Sequence, residues 1–181
     1  MCNVTVSTTP DANGVITISR PTLTMPGDME SGWRWCKQCQ GLYLAASTRG
    51  TCPVRPTHRG GLPAKVIGPH SEYQSGHYAL YFRRAPGCVQ TGWTRCARCS
   101  GLYFGQNGRV GRCPASSQGH APMAGVQYEL HTCDGAGGQE GWRWCCKCEG
   151  MFYSLSESSV CPAGDAHDAS QSGTYFIPWG S

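Results

Sequence analysis

The sequence has few of the aliphatic side chains on which globular cores usually depend. Leucine, isoleucine, valine and phenylalanine together make up only 25 of its 181 residues. A chain this poor in large apolar side chains is often disordered, because it buries too little surface to offset its conformational entropy. Charge is also scarce, at 14% of residues and a net +4, which excludes the highly charged kind of disordered chain.

No segment has the composition of a membrane span or a secretory signal. No run approaches the roughly 18 consecutive apolar residues that a membrane helix needs. The N-terminus, MCNVTVSTTP, lacks a positively charged start followed by an apolar core. We therefore expect a soluble protein without a signal peptide, either cytoplasmic or released by an unconventional route, unless the sequence is a trimmed mature form.

Aromatic residues and cysteines are abundant by contrast, with 18 of the former and 13 of the latter. Small domains with weak cores are generally held together by disulfides or by structural metal ions. Thirteen cysteines cannot all pair within one chain, and nine of them follow a spacing typical of metal sites. Metal-binding thiolates are therefore favoured over the alternative, a disulfide framework formed in an oxidising compartment.

Three segments of the chain align with one another. Each continues from its first motif to a Cys-Pro pair, a histidine and a strand-like stretch that begins with tyrosine. The first motifs are GWRWCKQCQGLYL (32–44), GWTRCARCSGLYF (92–104) and GWRWCCKCEGMFY (141–153). We predict an N-terminal lead-in over 1–31 and repeats over 32–82, 83–131 and 132–181, with an insertion at about 54–69 in the first.

Each aligned segment opens with Cys-x2-Cys-x-Gly, which is typical of a zinc knuckle. The tight turn places both sulfurs on one ion, and we expect the glycine (Gly41, Gly101 and Gly150) to adopt the left-handed conformation. Twelve or thirteen residues then lead to a third cysteine, enough for a β-hairpin that returns it to the knuckle. Because zinc prefers four ligands in a tetrahedron, the fourth is predicted to be histidine.

Two histidines compete for this role in the first repeat. Counting forward from the third cysteine favours His58, because five residues then intervene, as in the third repeat. Counting back from the final strand favours His70, which precedes a tyrosine by eight positions, as in both other repeats. The match of HSEYQSGHY to HDASQSGTY supports the second count. We therefore predict His70 as the ligand and place His58 in the inserted loop.

The predicted cofactor is zinc, three ions per chain, each held by three cysteines and one histidine. The predicted sites are Cys36, Cys39, Cys52 and His70; Cys96, Cys99, Cys113 and His120; and Cys145, Cys148, Cys161 and His167. The remaining cysteines are Cys2, Cys88, Cys133 and Cys146. Cys88 and Cys133 lie in the linkers before the Gly-Trp motifs of the second and third repeats, where they either pair or remain buried thiols.

The rest of the pattern predicts an all-β, metal-stapled fold of knuckles and short strands. The stretch NVTVSTTPDANGVITIS indicates a hairpin around Asn13-Gly14, and no segment has the pattern of an amphipathic helix. A pseudo-threefold arrangement resembling a β-prism or β-trefoil would place this hairpin beside the last strand, TYFIP. A linear array of zinc ribbons is the alternative.

The repeat resembles one found in bacterial and fungal proteins of uncharacterised function. Their shared pattern is Gly-Trp-x-x-Cys-x-x-Cys-x-Gly-Leu followed by Cys-Pro-Ala-Gly and a histidine, and the resemblance covers residues 32–179. Cys161-Pro162-Ala163-Gly164 fits closely, whereas the first two repeats depart after Cys-Pro. The resemblance implies the metal and the repeat, and no activity.

Four protein ligands at every site predict a structural metal, because catalytic zinc keeps an open position. We therefore expect no enzyme, unless the third repeat, where Asp165 and Asp168 flank His167, has diverged. The favoured function is a multivalent, lectin-like carbohydrate-binding module, since aromatic rings offer flat faces to sugars. The candidate contacts are Trp35, Arg95, Trp144, Tyr78, Tyr128 and Tyr175, whereas Trp33, Trp93 and Trp142 are expected to cover the metals and supplement the core.

Binding of nucleic acid or another polyanion is the alternative function. Residues 33–132 carry twelve lysines and arginines against two acids, while residues 133–181 carry two against six. An uneven distribution of this kind is the electrostatic footprint of a phosphate-binding surface, although it also occurs on basic faces that bind nothing. The residues concerned are Arg34, Lys37, Arg83, Arg84, Arg95, Arg98, Arg109 and Arg112.

Overall fold

The computed structural model describes residues 8–10, 16–18, 28–46, 48–54, 68–134, 137–156 and 158–180. Within these ranges the chain forms β-strands and contains no helix, which confirms the predicted all-β fold. No membrane-spanning helix is therefore present in the described ranges. The strands are β1 (Thr8–Pro10), β2 (Ile16–Ile18), β3 (Asp28–Trp35), β4 (Leu42–Leu44), β5 (Tyr78–Arg83), β6 (Val89–Arg95), β7 (Leu102–Phe104), β8 (Tyr128–His131), β9 (Gln139–Trp144), β10 (Met151–Tyr153) and β11 (Tyr175–Ile177).

The strands form two antiparallel sheets. Strands β1 and β2 pair with each other alone, as expected for a hairpin whose turn contains Asn13-Gly14; the turn itself lies outside the described residues. The other nine strands belong to the second sheet, in which β11 pairs with β9 on one edge and β8 on the other. Both edges of β11 are paired within the large sheet, so the N-terminal hairpin does not pair with it, and its expected packing beside the last strand stays a prediction.

Each predicted knuckle is the turn of a β-hairpin. Strand β3 pairs with β4, β6 with β7, and β9 with β10, so that the first two cysteines of every set lie between paired strands. We expected the hairpin to follow the knuckle and to carry the third cysteine back. The structure corrects this: the Gly-Leu-Tyr-like segment after the knuckle folds back onto the strand before it.

Hydrogen bonds join the three knuckle hairpins in a closed chain of contacts. A backbone N–H of each donates to the carbonyl of another, from first to second, second to third, and third to first. The third hairpin thus contacts the first, and the linear array is wrong. The pseudo-threefold arrangement stays a prediction with which these contacts agree. The bonds run from Leu44 to Ser100 (3.0 Å), from Phe104 to Glu149 (2.9 Å) and from Tyr153 to Gln40 (2.9 Å).

Tryptophan and tyrosine rings fill the centre of the large sheet. The tryptophan before each knuckle is fully buried and meets, edge to face, the tyrosine that begins the final strand of a different segment. Such pairs contribute roughly 0.5–1.5 kcal/mol each beyond the area they bury, and here they replace missing aliphatic volume. The pairs are Trp33–Tyr128, Trp93–Tyr175 and Trp142–Tyr78, with ring centroids 5.1, 5.2 and 5.4 Å apart.

Gly111 marks a close approach between the second segment and the third knuckle. Its φ is +55°, and a Cβ there would lie 2.2 Å from the carbonyl oxygen of Cys148. Gly108 has a similar φ of +74°, but a Cβ there would meet open space. An alanine at this position therefore shows the cost of the positive φ alone, without a steric contact. We expect Gly108→Ala to lower the free energy of unfolding by about 1 kcal/mol and Gly111→Ala by more than twice as much. Urea denaturation of the metal-loaded proteins measures both, and equal losses would contradict the contact.

Candidate metal centres and binding cleft

The fold gathers three groups of three cysteines and one histidine. The ligand atoms within each group lie within 4.8 Å of one another, and eleven of the twelve residues are buried. His70 completes the first group, as the alignment predicted, while His58 lies outside the described residues. The groups are Cys36, Cys39, Cys52 and His70; Cys96, Cys99, Cys113 and His120; and Cys145, Cys148, Cys161 and His167.

The residue before the knuckle glycine, and not the glycine itself, has the left-handed conformation. The φ angles of Gln40, Ser100 and Glu149 are 69°, 62° and 65°, and none of the three glycines has a positive φ. The expectation for the glycines is therefore wrong. A Cβ at Gly41 would lie 3.4 Å from Sγ of Cys39, with equivalent approaches in the other two knuckles, so glycine leaves room for the ligand sulfur.

In each group the backbone N–H of the histidine donates a hydrogen bond to a residue two or three positions before the third cysteine, which brings the histidine back to the group. The backbone N–H of His70 donates to the carbonyl of Arg49 at 3.0 Å, and that of His120 donates to Val110 at 2.8 Å. In the third group a side chain has this role, because the N–H of His167 donates to Oγ of Ser159 at 3.0 Å. Each histidine is therefore held by the chain just before the third cysteine.

An aromatic ring covers each ligand histidine. Tyr43, Tyr103 and Phe152 stack on the three imidazoles, with centroids 4.4–4.6 Å apart and planes within 20° of parallel. We expected the three tryptophans to cover the metals as well as to supplement the core. The structure gives the covering role to the Tyr or Phe of the following strand and leaves the tryptophans in the central core.

The nine cysteines of the groups are free and form no disulfides with one another. The first and third sulfurs of each group are 3.9, 3.9 and 3.8 Å apart, whereas a disulfide bond is about 2.05 Å long. The Nδ1 atom of each histidine lies 3.5 Å from the second sulfur. Three sulfurs and one imidazole nitrogen therefore face one point in each group.

Hydrogen bonding indicates that the sulfurs of the first group share negative charge. The backbone N–H of Ser71 donates to Sγ of Cys36 at 3.4 Å. Hydrogen bonds from Cys39 and Cys52 lower the pKa of the Cys36 thiol far below its usual range. The same bonds to Cys36 raise the pKa of Cys39 well above normal and that of Cys52 to about 12. A divalent cation is what would allow all three sulfurs to be thiolates at neutral pH.

Metal binding is therefore expected to displace protons. Because the thiols of Cys39 and Cys52 hold their protons at neutral pH, binding of an ion to the first group should release about two protons, and the affinity should fall as the pH falls from 8 to 6. Calorimetric titration of the metal-free protein with zinc, in buffers of different ionisation enthalpy, measures the number released. An affinity that does not change with pH would contradict the shared-proton arrangement.

The remaining described cysteines are free and lie outside the three groups. Cys88 and Cys133 are neighbours, as the N–H of Cys88 donates to Sγ of Cys133 at 3.3 Å. Cys88 is exposed rather than buried, so the expected buried thiol is wrong for this residue. Cys146 is half-buried beside the third group, and Cys2 lies outside the described residues.

Cys146 provides a matched control for the third site, since it lies next in the chain to a ligand without being one. We expect Cys148→Ser to remove one metal ion per chain and to reduce thermal stability, because it deletes a buried ligand. Cys146→Ser should leave both unchanged. Elemental analysis and thermal unfolding of the two variants measure this, and equal metal content would show that Cys148 does not bind an ion.

The loop that carries His167 is shaped by hydrogen bonds to the backbone and carboxylate of Asp168 and to the backbone carbonyl of Asp165. The N–H of Asp168 donates to Sγ of Cys145 at 3.4 Å, and its carboxylate accepts from the N–H of Ser170 at 2.9 Å. The carbonyl of Asp165 accepts from the N–H of Cys161 at 2.8 Å. Both residues therefore help to shape the ligand loop.

An open cleft of about 1150 Å³ lies between the first and second segments. One wall comes from β3 and the end of β5, and the other from the loops before and after the second histidine. Glu30 accepts a hydrogen bond from the hydroxyl of Tyr128 within it. Both apolar and polar residues line the cleft, including Met29, Phe82, Met123, Gln106 and Gln127.

The predicted ligand contacts lie mostly inside the protein. Tyr78, Tyr128 and Tyr175 are buried in the core. The indoles of Trp35 and Trp144 are half-buried and donate to the side chains of the residues before the knuckle glycines. Arg95 is also half-buried, and its Nε has no hydrogen-bond partner among the described residues. Packing accounts for these aromatic positions, and of the six predicted contacts Tyr128 also lines the cleft.

The exposed Tyr, Phe and Trp rings among the described residues are those of Tyr73, Phe82 and Trp179, none of which was predicted as a ligand contact. Phe82 and Trp179 are 36% and 57% exposed, and each lies four residues after the tyrosine that begins its strand. Phe82 lines the cleft. The sequence pattern carried no signal for this exposure, because residues at even offsets along a strand share a face, which would predict Phe82 to be buried with Tyr78, and because Trp179 lies beyond the end of β11.

Much of the basic surface is paired with carboxylates. Arg83 and Arg84 both contact Asp28 at 3.2 Å, and Arg34 and Arg49 both contact Glu72, at 4.0 and 3.1 Å. In addition, Arg109 reaches the buried carboxylate of Glu149, which comes from the acidic third segment, at 3.4 Å. These pairs reduce the positive charge available to a phosphate backbone.

Comparison with known proteins finds no match for this chain among protein-family models, curated proteins or solved structures. The geometry of the metal centres and the cleft is therefore the basis for the function proposed below.

Proposed function

We propose that each cysteine–histidine group binds one zinc ion. In a tetrahedron with Zn–S distances of about 2.3 Å and Zn–N distances of about 2.0–2.1 Å, adjacent sulfurs are about 3.8 Å apart and sulfur and nitrogen about 3.5 Å apart. The observed distances of 3.8–3.9 and 3.5 Å fit these values. The ligands are also of the types that zinc prefers, thiolate and imidazole.

We further propose that the zinc ions are structural and that the protein is not an enzyme. Each group supplies four protein ligands, which fills a tetrahedron and leaves no position for a reacting water. Eleven of the twelve ligands are buried, an aromatic ring stacks on each histidine, and the carboxylate of Asp168 accepts a hydrogen bond within its own loop. Binding the ions therefore contributes to folding.

The function that the structure supports best is carbohydrate binding, and the open cleft is the observation that carries it. A volume of about 1150 Å³ is large enough for a short oligosaccharide, since typical ligand sites measure roughly 300–1,000 Å³. Apolar side chains such as Phe82 and Met29 suit the flat faces of pyranose rings, while Gln106 and Gln127 suit their hydroxyl groups.

Multivalent binding is proposed from the positions of the exposed rings. Phe82 in the first segment and Trp179 in the third lie at the same offset from their aligned tyrosines, and both are exposed. Trp179 stacks one face on Tyr78, with centroids 5.2 Å apart, which fixes the ring for contact with a second sugar. Two weak sites on one rigid body bind a polymeric glycan more tightly than either site alone.

We expect binding of a polymeric glycan to weaken several-fold in both Phe82→Ala and Trp179→Ala, because each loses one contact point. Tyr73→Ala is the control, since Tyr73 is 66% exposed but lies outside the cleft lining and the aligned position. A glycan array identifies the ligand, and titrations at low and high salt measure the affinities. Undiminished binding in both test variants would contradict the proposed sites.

Salt dependence separates this function from the alternative, polyanion binding. Neutral glycans are held by packing and hydrogen bonds, so their affinity should change little between about 50 and 200 mM salt. Binding to DNA or RNA through several phosphate contacts would fall by about 10³-fold or more over that range. Tight, salt-sensitive binding to nucleic acid with no glycan bound would make the basic face the functional surface.

A further inference from the structure

Glu30 occupies a position that is glutamine in the other two segments. Glu30, Gln90 and Gln139 each lie three residues before the buried tryptophan of their segment. Each side chain accepts a hydrogen bond from a core tyrosine, with distances of 2.6 Å to Gln90 and to Gln139. Since a neutral amide oxygen satisfies the tyrosine in two of three cases, folding does not require a carboxylate at residue 30.

The carboxylate is placed where a ligand would meet it. Of the three equivalent side chains, only Glu30 lines the cleft. No arginine, lysine or histidine among the described residues lies within 4.0 Å of it. The two arginines of the cleft wall are paired with other acids, Arg83 with Asp28 and Arg109 with Glu149. Glu30 is thus a carboxylate in a binding cleft without an ion-pair partner of its own.

We propose that Glu30 recognises a cationic amino group of the ligand, so that the cleft selects amino sugars with a free amine. This inference rests on the proposed carbohydrate binding and names its substrate class. An ammonium group supplies the positive charge and the N–H donors that Glu30 lacks, and charge-assisted bonds of this kind are about twice as strong as neutral ones. The sugar ring carrying the amine lies against Phe82 and Met29, where its apolar face packs.

An acetylated amine does not meet this requirement, because it is uncharged and bulkier. Hexamers of glucosamine and of N-acetylglucosamine therefore form a matched pair of probes. At pH 6 we expect the protein to bind the free-amine hexamer at least 10-fold more tightly than the acetylated one. Calorimetric titration of the zinc-loaded protein with each hexamer measures the ratio.

Glu30→Gln is the diagnostic variant, because it installs the side chain that already works at residues 90 and 139. It should fold with unchanged thermal stability, lose the 10-fold preference and retain the affinity for the acetylated hexamer. Glu140→Gln, at an exposed glutamate outside the cleft lining, makes the same change in net charge and should keep the preference. Loss of preference in both variants would point to overall charge and overturn the inference.

The possible failures are distinguishable. Equal affinity of the protein for both hexamers, or an unchanged preference in Glu30→Gln, would overturn the role of Glu30 while leaving carbohydrate binding intact. Binding of other glycans on the array, but of neither hexamer, would do the same. No binding to any glycan would refute the proposed function itself.

Discussion

The geometry of the knuckle turn is the constraint on which the rest of the structure depends. Each knuckle gathers two cysteines on one point by placing the residue before its glycine in the left-handed conformation, with φ of 62–69°. The carbonyl of that same residue accepts the hydrogen bond from another hairpin. A metal ion that fixes the turn therefore also fixes the contact between segments, and this links local coordination to the assembly of the sheet.

The aromatic core depends on the same assembly. Each buried tryptophan packs against a tyrosine from another segment, so no segment supplies a complete core of its own. The hydroxyls of these tyrosines donate hydrogen bonds to the side chains of Glu30, Gln90 and Gln139. One of these positions carries a carboxylate and opens into the cleft, so the proposed binding site is built from a position that elsewhere serves the core.

Spacing in the sequence predicted the ligand groups well, because metal coordination demands a fixed set of residue types at repeated intervals. The choice of His70 followed from the aligned strand, and the structure places that residue beside Cys39. The left-handed residue was misassigned because glycine is the usual occupant of that conformation, whereas here glycine is needed for space beside a sulfur. The cleft and the exposed rings of Phe82 and Trp179 could not be predicted, since they depend on contacts between segments that local patterns do not encode.

The closed set of contacts between hairpins could likewise not be predicted from the sequence, because the linkers are compatible with either a linear chain or a ring of repeats.

Zinc ions bound by the three groups are proposed to stabilise the fold. Elemental analysis of the native protein, followed by circular dichroism during chelation, tests it most directly. We predict close to three zinc ions per chain and loss of folded structure as they are removed. Absence of metal in a folded protein with oxidised cysteines would contradict it.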